Sequence, residues 1–180
     1  MLSQDISKAY DSVHLPLLRL ALRRIHIPEQ ITNLIINLFT GRTNKIITNL
    51  GLTDLYTVHD GIDQGETITP LLWRIYYDPL LCKITKSYKG YTLQTNILNQ
   101  NTNTNTSVST NFLTLAFMDD TIWLAESKNQ LEEIITTATS FFSLANITVN
   151  PTKSVLAAIT KSKDPQIIFD HTTIKGLHNN

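Results

Sequence analysis

Apolar positions along the chain follow two periods. Val13 to Ile25 carries Leu15, Leu18, Leu22 and Ile25 at helical spacing, which predicts a helix. Pro28 suits the first turn of a second helix, expected to bury Ile31, Leu34, Ile35 and Leu38 and to stop at Gly41. Thr69 to Lys86 reads as a third helix, with Pro70 near its start. Ser127 and Gln130 form a capping box. The helix they open sets Leu131, Ile134, Ile135, Ala138 and Phe142 on one stripe. Shorter runs read as strands: Met1 to Ile6, Lys45 to Leu50 and Leu55 to Val58, Tyr91 to Leu93, Val155 to Ile159 and Ile167 to Phe169. The pair at 45–58 is expected to turn at Gly51 through Asp54, and Asp60 to Gly65 to be a loop.

Two further runs, Phe112 to Ala116 and Thr121 to Ala125, are rich in β-branched and aromatic residues and flank Phe117-Met118-Asp119-Asp120. So tight a link between strands makes a hairpin, with two adjacent carboxylates at its tip. Like charges side by side are unfavourable, and a turn does not require them. A hard dication such as Mg²⁺ removes the penalty by taking carboxylate oxygens.

Helices and strands mix without strict βαβ alternation. This predicts an α+β fold, with helices packed on one face of an antiparallel sheet. The stretch 96–111 is almost all Asn, Thr and Ser and is expected to be a disordered insertion. It would divide one domain, 1–95 with 112–160, from which 161–180 trails.

Composition changes this picture little. Of the 180 residues, 42% are apolar and 17% charged, an ordinary globular balance. A net charge of +0 provides no bulk attraction to nucleic acid, though it leaves room for a local basic face. Arg19, Arg23, Arg24, Lys83, Lys86 and Lys89 are candidates for one, and also read as ordinary solvated helix faces. The single cysteine, Cys82, rules out an internal disulfide and fits a reducing compartment. No run is long enough to span a bilayer and no leader is visible. The expectation is an intracellular protein of nucleus or cytoplasm that engages no membrane.

Three segments are candidates for chemistry. In Asp5-Ile6-Ser7-Lys8-Ala9-Tyr10-Asp11, Asp5 ends a strand and Asp11 precedes a helix. Taken alone, Asp5 is a surface acid and Asp11 a helix-terminus carboxylate. In Gly61-Ile62-Asp63-Gln64-Gly65-Glu66-Thr67-Ile68-Thr69-Pro70, two glycines bracket a polar loop that leads into a helix. Such a loop lets backbone approach a ligand, or is simply a turn and N-cap. The third segment is the hairpin. If the Asp5 strand lies beside it, three carboxylates converge, enough to hold two Mg²⁺ ions for phosphoryl transfer.

Together these segments resemble the palm of a reverse transcriptase of the non-LTR (LINE-like) retrotransposon type. Asp5 to Val13 is similar to the family's first palm motif. Gly61 to Leu72, followed by Asp78-Pro79-Leu80, is similar to the second, and Phe117 to Asp120 to the third. Asn150-Pro151-Thr152-Lys153 resembles the Asn-x-x-Lys element that follows. The resemblance implies that Asp5, Asp119 and Asp120, with the backbone carbonyl of Ile6, hold two Mg²⁺ (or Mn²⁺) ions. It implies that Tyr10 lies under the incoming sugar and disfavours a 2′-hydroxyl, where a core aromatic is the plainer reading. Gln64 and Gly65 would line nucleotide and template. Lys153 would protonate or neutralise the leaving pyrophosphate, where a solvated lysine is the plainer reading. The implied partners are an RNA or DNA template with primer, and dNTPs.

The chain departs from the family in three ways. With four residues before Asp5 and few after Lys153, the expectation is a palm without the family's basic fingers or its thumb. Thr69 stands where the family commonly has Ser, and the Asn/Thr tract is atypical. The sequence therefore leaves three readings: a polymerase palm within a longer retroelement product, a catalytically inactive remnant that binds nucleic acid weakly, and another two-metal enzyme such as a nuclease.

Overall fold

The computed structural model describes residues 1–99, 104–158, 166–169 and 172–175. In chain order the elements are β1 (Leu2–Ser7), α1 (Leu15–Arg24), α2 (Glu29–Phe39), β2 (Arg42–Asn44), β3 (Ile47–Thr48), β4 (Gly51–Leu52), β5 (Tyr56–Val58) and α3 (Thr69–Ser87). They continue as β6 (Tyr91–Asn99), β7 (Thr104–Phe112), β8 (Thr114–Phe117), β9 (Asp120–Trp123), α4 (Lys128–Leu144), β10 (Thr148–Leu156), β11 (Gln166–Phe169) and β12 (Thr172–Lys175). The fold is α+β with an antiparallel sheet, as the sequence predicts. No helix among the described residues is long and apolar enough to cross a membrane. The chain divides into two compact units.

The first unit gathers Met1–Asp5, Leu80–Ser140 and the chain from Val149 onward. Its centre is a four-stranded sheet in the order β10-β1-β9-β8. Strand alternation decides its faces. Leu2, Gln4, Thr121, Trp123, Ser154 and Leu156 are buried, together with Leu131, Ile134, Ile135 and Ala138 of α4. The opposite face, with Ser3, Asp5, Asp120, Ile122, Leu115 and Phe117, stays partly or fully exposed. The α4 capping box forms as expected on one side, Gln130 N–H donating to Ser127 Oγ at 3.2 Å. Its return bond goes one residue further back, Glu126 N–H donating to Gln130 Oε1 at 2.9 Å.

The Asn/Thr tract departs from expectation. Instead of disorder, its described residues are paired, β6 and β7 running in register from Tyr91↔Phe112 to Asn99↔Thr104, while 100–103 lie outside the described residues. Threonine favours extended backbone, and the register sets Tyr91, Leu93, Val108 and Phe112 on one face of the ribbon. Asn111 anchors its base, accepting from Gly90 N–H at 2.9 Å and donating to Gly90 O at 2.8 Å. The closing strands also differ in extent. β10 ends at Leu156, Ile159 lies outside the described residues, and β11 pairs with β12.

The second unit comprises Ile6–Pro79 and Phe141–Thr148. An aromatic stack forms its core: Trp73 lies on Tyr77 with centroids 5.5 Å apart, and Tyr77 on Phe142 at 6.2 Å. Two expectations are corrected here. α2 buries Thr32, Ile36 and Phe39, while Ile31, Leu34 and Leu38 are exposed. Its apolar residues, Ile31, Leu34, Ile35, Ile36, Leu38 and Phe39, spread over more than one face, so its sequence pattern permits more than one buried stripe. The 45–58 segment turns at Asn49-Leu50, not at 51–54: β3 pairs with β4 through Thr48↔Gly51, and β2 with β5. Gly51 takes a φ of +117°, which glycine adopts without strain, at the end of the turn and not its start.

Candidate active site

β8 and β9 form the hairpin expected around the two carboxylates, closed by the Phe117↔Asp120 pair across Met118-Asp119. Met118 has a φ of +55° and Asp119 does not appear among the left-handed residues. Positive φ at the first central position alone is the signature of a type II′ turn, where glycine is the usual occupant. The structure separates the carboxylates. Asp119 sits in the turn, half-buried, and Asp120 is the exposed first residue of β9.

The Asp5 strand does lie beside the hairpin. β1 pairs with β9 through Leu2↔Trp123, Ser3↔Ile122 and Gln4↔Thr121. One register step further stand Asp5 and Asp120. Residues opposite one another on antiparallel strands share a face, with Cβ atoms about 4.5–5.5 Å apart. Both carboxylates therefore belong to the open face. Behind them, Trp123 Nε1 donates to Gln4 Oε1 in the core, while Gln4 Nε2 has no partner among the described residues.

β10 supplies the other flank. Met1 and Ala157 exchange two backbone hydrogen bonds at 3.0 and 2.9 Å. Four residues along the antiparallel strands from that pair, Asp5 meets Lys153, whose Nζ lies 3.6 Å from Asp5 Oδ2. No extra residue lies between the two pairs, so the plain antiparallel register brings Asp5 and Lys153 together. Alternation breaks only beyond Lys153, where Val149 and Ser154 are both buried despite their odd spacing. Asn150 braces that stretch: its Oδ1 accepts from Thr152 N–H at 3.1 Å and Thr152 Oγ1 at 2.7 Å, and its carbonyl from Ser154 Oγ at 2.8 Å. Sequence reading singled out Lys153 in this motif and passed over the role of Asn150. The signal is the tendency of Asn to bond its own backbone two residues on.

The remaining candidates belong to the second unit. Ile6 is buried in β1. Tyr10 is half-buried, its ring edge-on to Trp73 at 6.2 Å. Gln64 and Gly65 are exposed in a turn, Gly65 with a φ of +103°. Gly61 approaches backbone: its N–H donates to Val13 O at 2.8 Å, and Ile62 N–H donates to Tyr10 O at 3.0 Å. Arg42 pairs with Asp63 and donates to Gly61 O at 2.7 Å, securing the loop. Asp11 is exposed and does not cap α1, which begins at Leu15. His14 is the N-cap and makes no side-chain cap bond; the first helical N–H, of Leu15, donates instead to Asp60 Oδ1 at 3.3 Å. No local sequence pattern relates residues so far apart, so this partnership was not legible.

Among the described residues, no group of three or more His, Cys, Asp and Glu side chains is gathered to hold a metal ion. The cross-strand row offers two hard carboxylate donors, Asp5 and Asp120, on an open face, which fits a hard dication. Asp119 stands apart from that row, in the turn.

Comparison with known proteins agrees with this architecture. The family model described as reverse transcriptase (RNA-dependent DNA polymerase) matches residues 1–175. Two curated relatives, both described as the retrovirus-related Pol polyprotein from type-1 retrotransposable element R2 of Popillia japonica, are similar in sequence. One is 24% identical over 98% of this chain and 28% of its own length. The other is 28% identical over 90% of this chain and 21% of its own length. The chain thus spans under a third of either relative. Among solved structures, apo telomerase from Candida tropicalis matches with a TM-score of 0.59, 18% identity and coverage of 97% of this chain and 33% of that one. Telomerase from Candida albicans, solved with a fragment of telomeric RNA, matches with a TM-score of 0.61, 14% identity and coverage of 97% and 29%.

Proposed function

The chain belongs to the reverse transcriptase (RNA-dependent DNA polymerase) family, in its non-LTR retrotransposon branch, and from that premise we propose that the Asp5–Asp120 row is the metal-binding edge of a polymerase palm. Reverse transcriptases work with divalent metals and RNA templates. The proposal for this chain is finer: template-directed addition of dNTPs to a primer 3′-hydroxyl, with Mg²⁺ held by Asp5 and Asp120 and with Asp119 as the third carboxylate. The observation that carries it is the β1–β9 register from Leu2↔Trp123 to Gln4↔Thr121, which, continued one step, brings Asp5 opposite Asp120.

Bound there, divalent ions supply charge neutralisation for phosphoryl transfer. The protein's own part is positioning. β1 and β9 fix the separation of the carboxylates, because each is locked into the sheet by core partners, Leu2 against Trp123 and Gln4 against Thr121. The roles proposed for Tyr10, Gln64 and Gly65 toward the nucleotide, and for the Ile6 carbonyl toward metal, rest on the motif match alone.

Primer extension on an RNA template with Mg²⁺ tests the reading. Wild type is expected to extend, and Asp5→Asn and Asp119→Ala to lose extension by at least about a hundredfold. Equal signal from all three proteins sinks the catalytic assignment. A second reading, a non-catalytic scaffold that binds nucleic acid, draws on the absence of a three-carboxylate cluster among the described residues. It predicts primer–template binding that weakens with salt without extension by any of the proteins.

A further inference from the structure

We infer that Lys153 is the resident counter-cation of the Asp5–Asp120 row, and that a divalent ion can load the row only as the Lys153 ammonium gives up Asp5. The inference rests on the metal-binding reading of these carboxylates and concerns what they do without metal.

Three observations converge on Lys153. Asp5 is the middle member of a three-strand row, with Asp120 on one side and Lys153 on the other. Lys153 is the ion-pair partner of Asp5, its Nζ 3.6 Å from Oδ2. The pairing is also fixed by register: counted from the Met1–Ala157 backbone pair, Asp5 and Lys153 each stand four residues along their strands, and Lys153 alternates with the buried Ser154 and Leu156.

The pair is constructed to hold and to release. The Asp5 side chain is 26% exposed and the Lys153 side chain 67% exposed, with a single contact at 3.6 Å. An exposed lysine on a flexible four-carbon stem binds a carboxylate weakly, so a doubly charged ion outcompetes it. While Asp5 holds the ammonium, Lys153 is occupied. Once released, its charge is available to an anionic ligand such as a phosphate. Metal loading thereby precedes engagement of an anion by Lys153.

The test is Mn²⁺ binding by calorimetry to the 180-residue chain, in wild type, Lys153→Met, Lys153→Arg, Asp5→Asn and Asp120→Asn. Lys153→Met is expected to bind Mn²⁺ about three- to tenfold more tightly than wild type, the range of one cross-strand charge pair together with the relieved ammonium–metal repulsion. Lys153→Arg, which keeps the charge, is expected within about twofold of wild type. Asp5→Asn and Asp120→Asn are expected to weaken binding. If both Asn variants lose Mn²⁺ while Lys153→Met matches wild type, the counter-cation role is overturned and the metal-site reading stands. The same holds if Lys153→Arg binds as tightly as Lys153→Met. If the Asn variants bind like wild type, or no protein binds, the metal-site reading fails and takes this inference with it.

Discussion

Asp5 and Asp120 stand opposite one another on neighbouring antiparallel strands, one register step beyond Gln4 and Thr121. Like charges in that position repel. Asp120→Asn is therefore expected to stabilise the metal-free protein by about 0.2–1 kcal/mol at low salt. Urea unfolding with and without Mn²⁺ checks it: the gain should vanish or reverse when the ion is present, because the variant loses a ligand. A variant less stable than wild type without metal would contradict the register.

Gly61 has a φ of +88°, and a Cβ there would lie 3.0 Å from both the Cα and the carbonyl oxygen of Asp11. Gly61→Ala is expected to destabilise by about 1–3 kcal/mol, combining backbone strain with displacement of the 10–13 segment. Gly90→Ala is expected to be at least as severe, since its Cβ would collide with the backbone of Phe112 and Leu113. At Gly51 nothing lies within 4 Å, so only its φ resists substitution. Thermal unfolding of the three variants should rank Gly51→Ala mildest.

Met118 occupies a left-handed position in the hairpin turn, with a φ of +55°. An L-residue there costs about 1–2 kcal/mol, part of which glycine returns as unfolded-state entropy. Met118→Gly is expected to raise stability by up to about 1 kcal/mol. Chemical denaturation measures it, and a clear loss of stability would show that the Met118 side chain contributes packing that outweighs the strain.

Tyr76 accepts a hydrogen bond from His14 N–H at 3.3 Å and donates one to Ala145 O at 2.8 Å. Tyr76→Phe leaves both partners short and is expected to cost about 1–3 kcal/mol near neutral pH. Burial raises the phenol above its usual value near 10. Above that value the unfolded chain ionises first, so the folded state holds more protons and stability falls as pH rises. Wild type should therefore lose stability in the alkaline range more steeply than Tyr76→Phe. Parallel pH–stability curves for the two proteins would remove Tyr76 as the cause.

Local chemistry made much of this protein legible in its sequence. Periodicity predicted four helices, and the apolar runs around Asp119 and Asp120 predicted a hairpin. Ser127 and Gln130 announced the start of α4, and the motif series from Asp5 to Lys153 pointed to the family. These features depend on neighbours a few residues apart, which is the range over which helical period, strand alternation and capping act. Tertiary structure decided the rest. α2 chose Thr32, Ile36 and Phe39 as its buried stripe, because a helix whose apolar residues spread over more than one face is oriented by what it packs against. The Asn/Thr tract became a ribbon once register aligned Tyr91 with Phe112. Asp60, not Asp11, accepted the first N–H of α1. Lys153 met Asp5 because the strand pairing that joins Met1 to Ala157 carries them to the same step. Each of these depends on pairing between distant segments, and a shift of a single residue in that pairing turns every side chain of a strand to the other face.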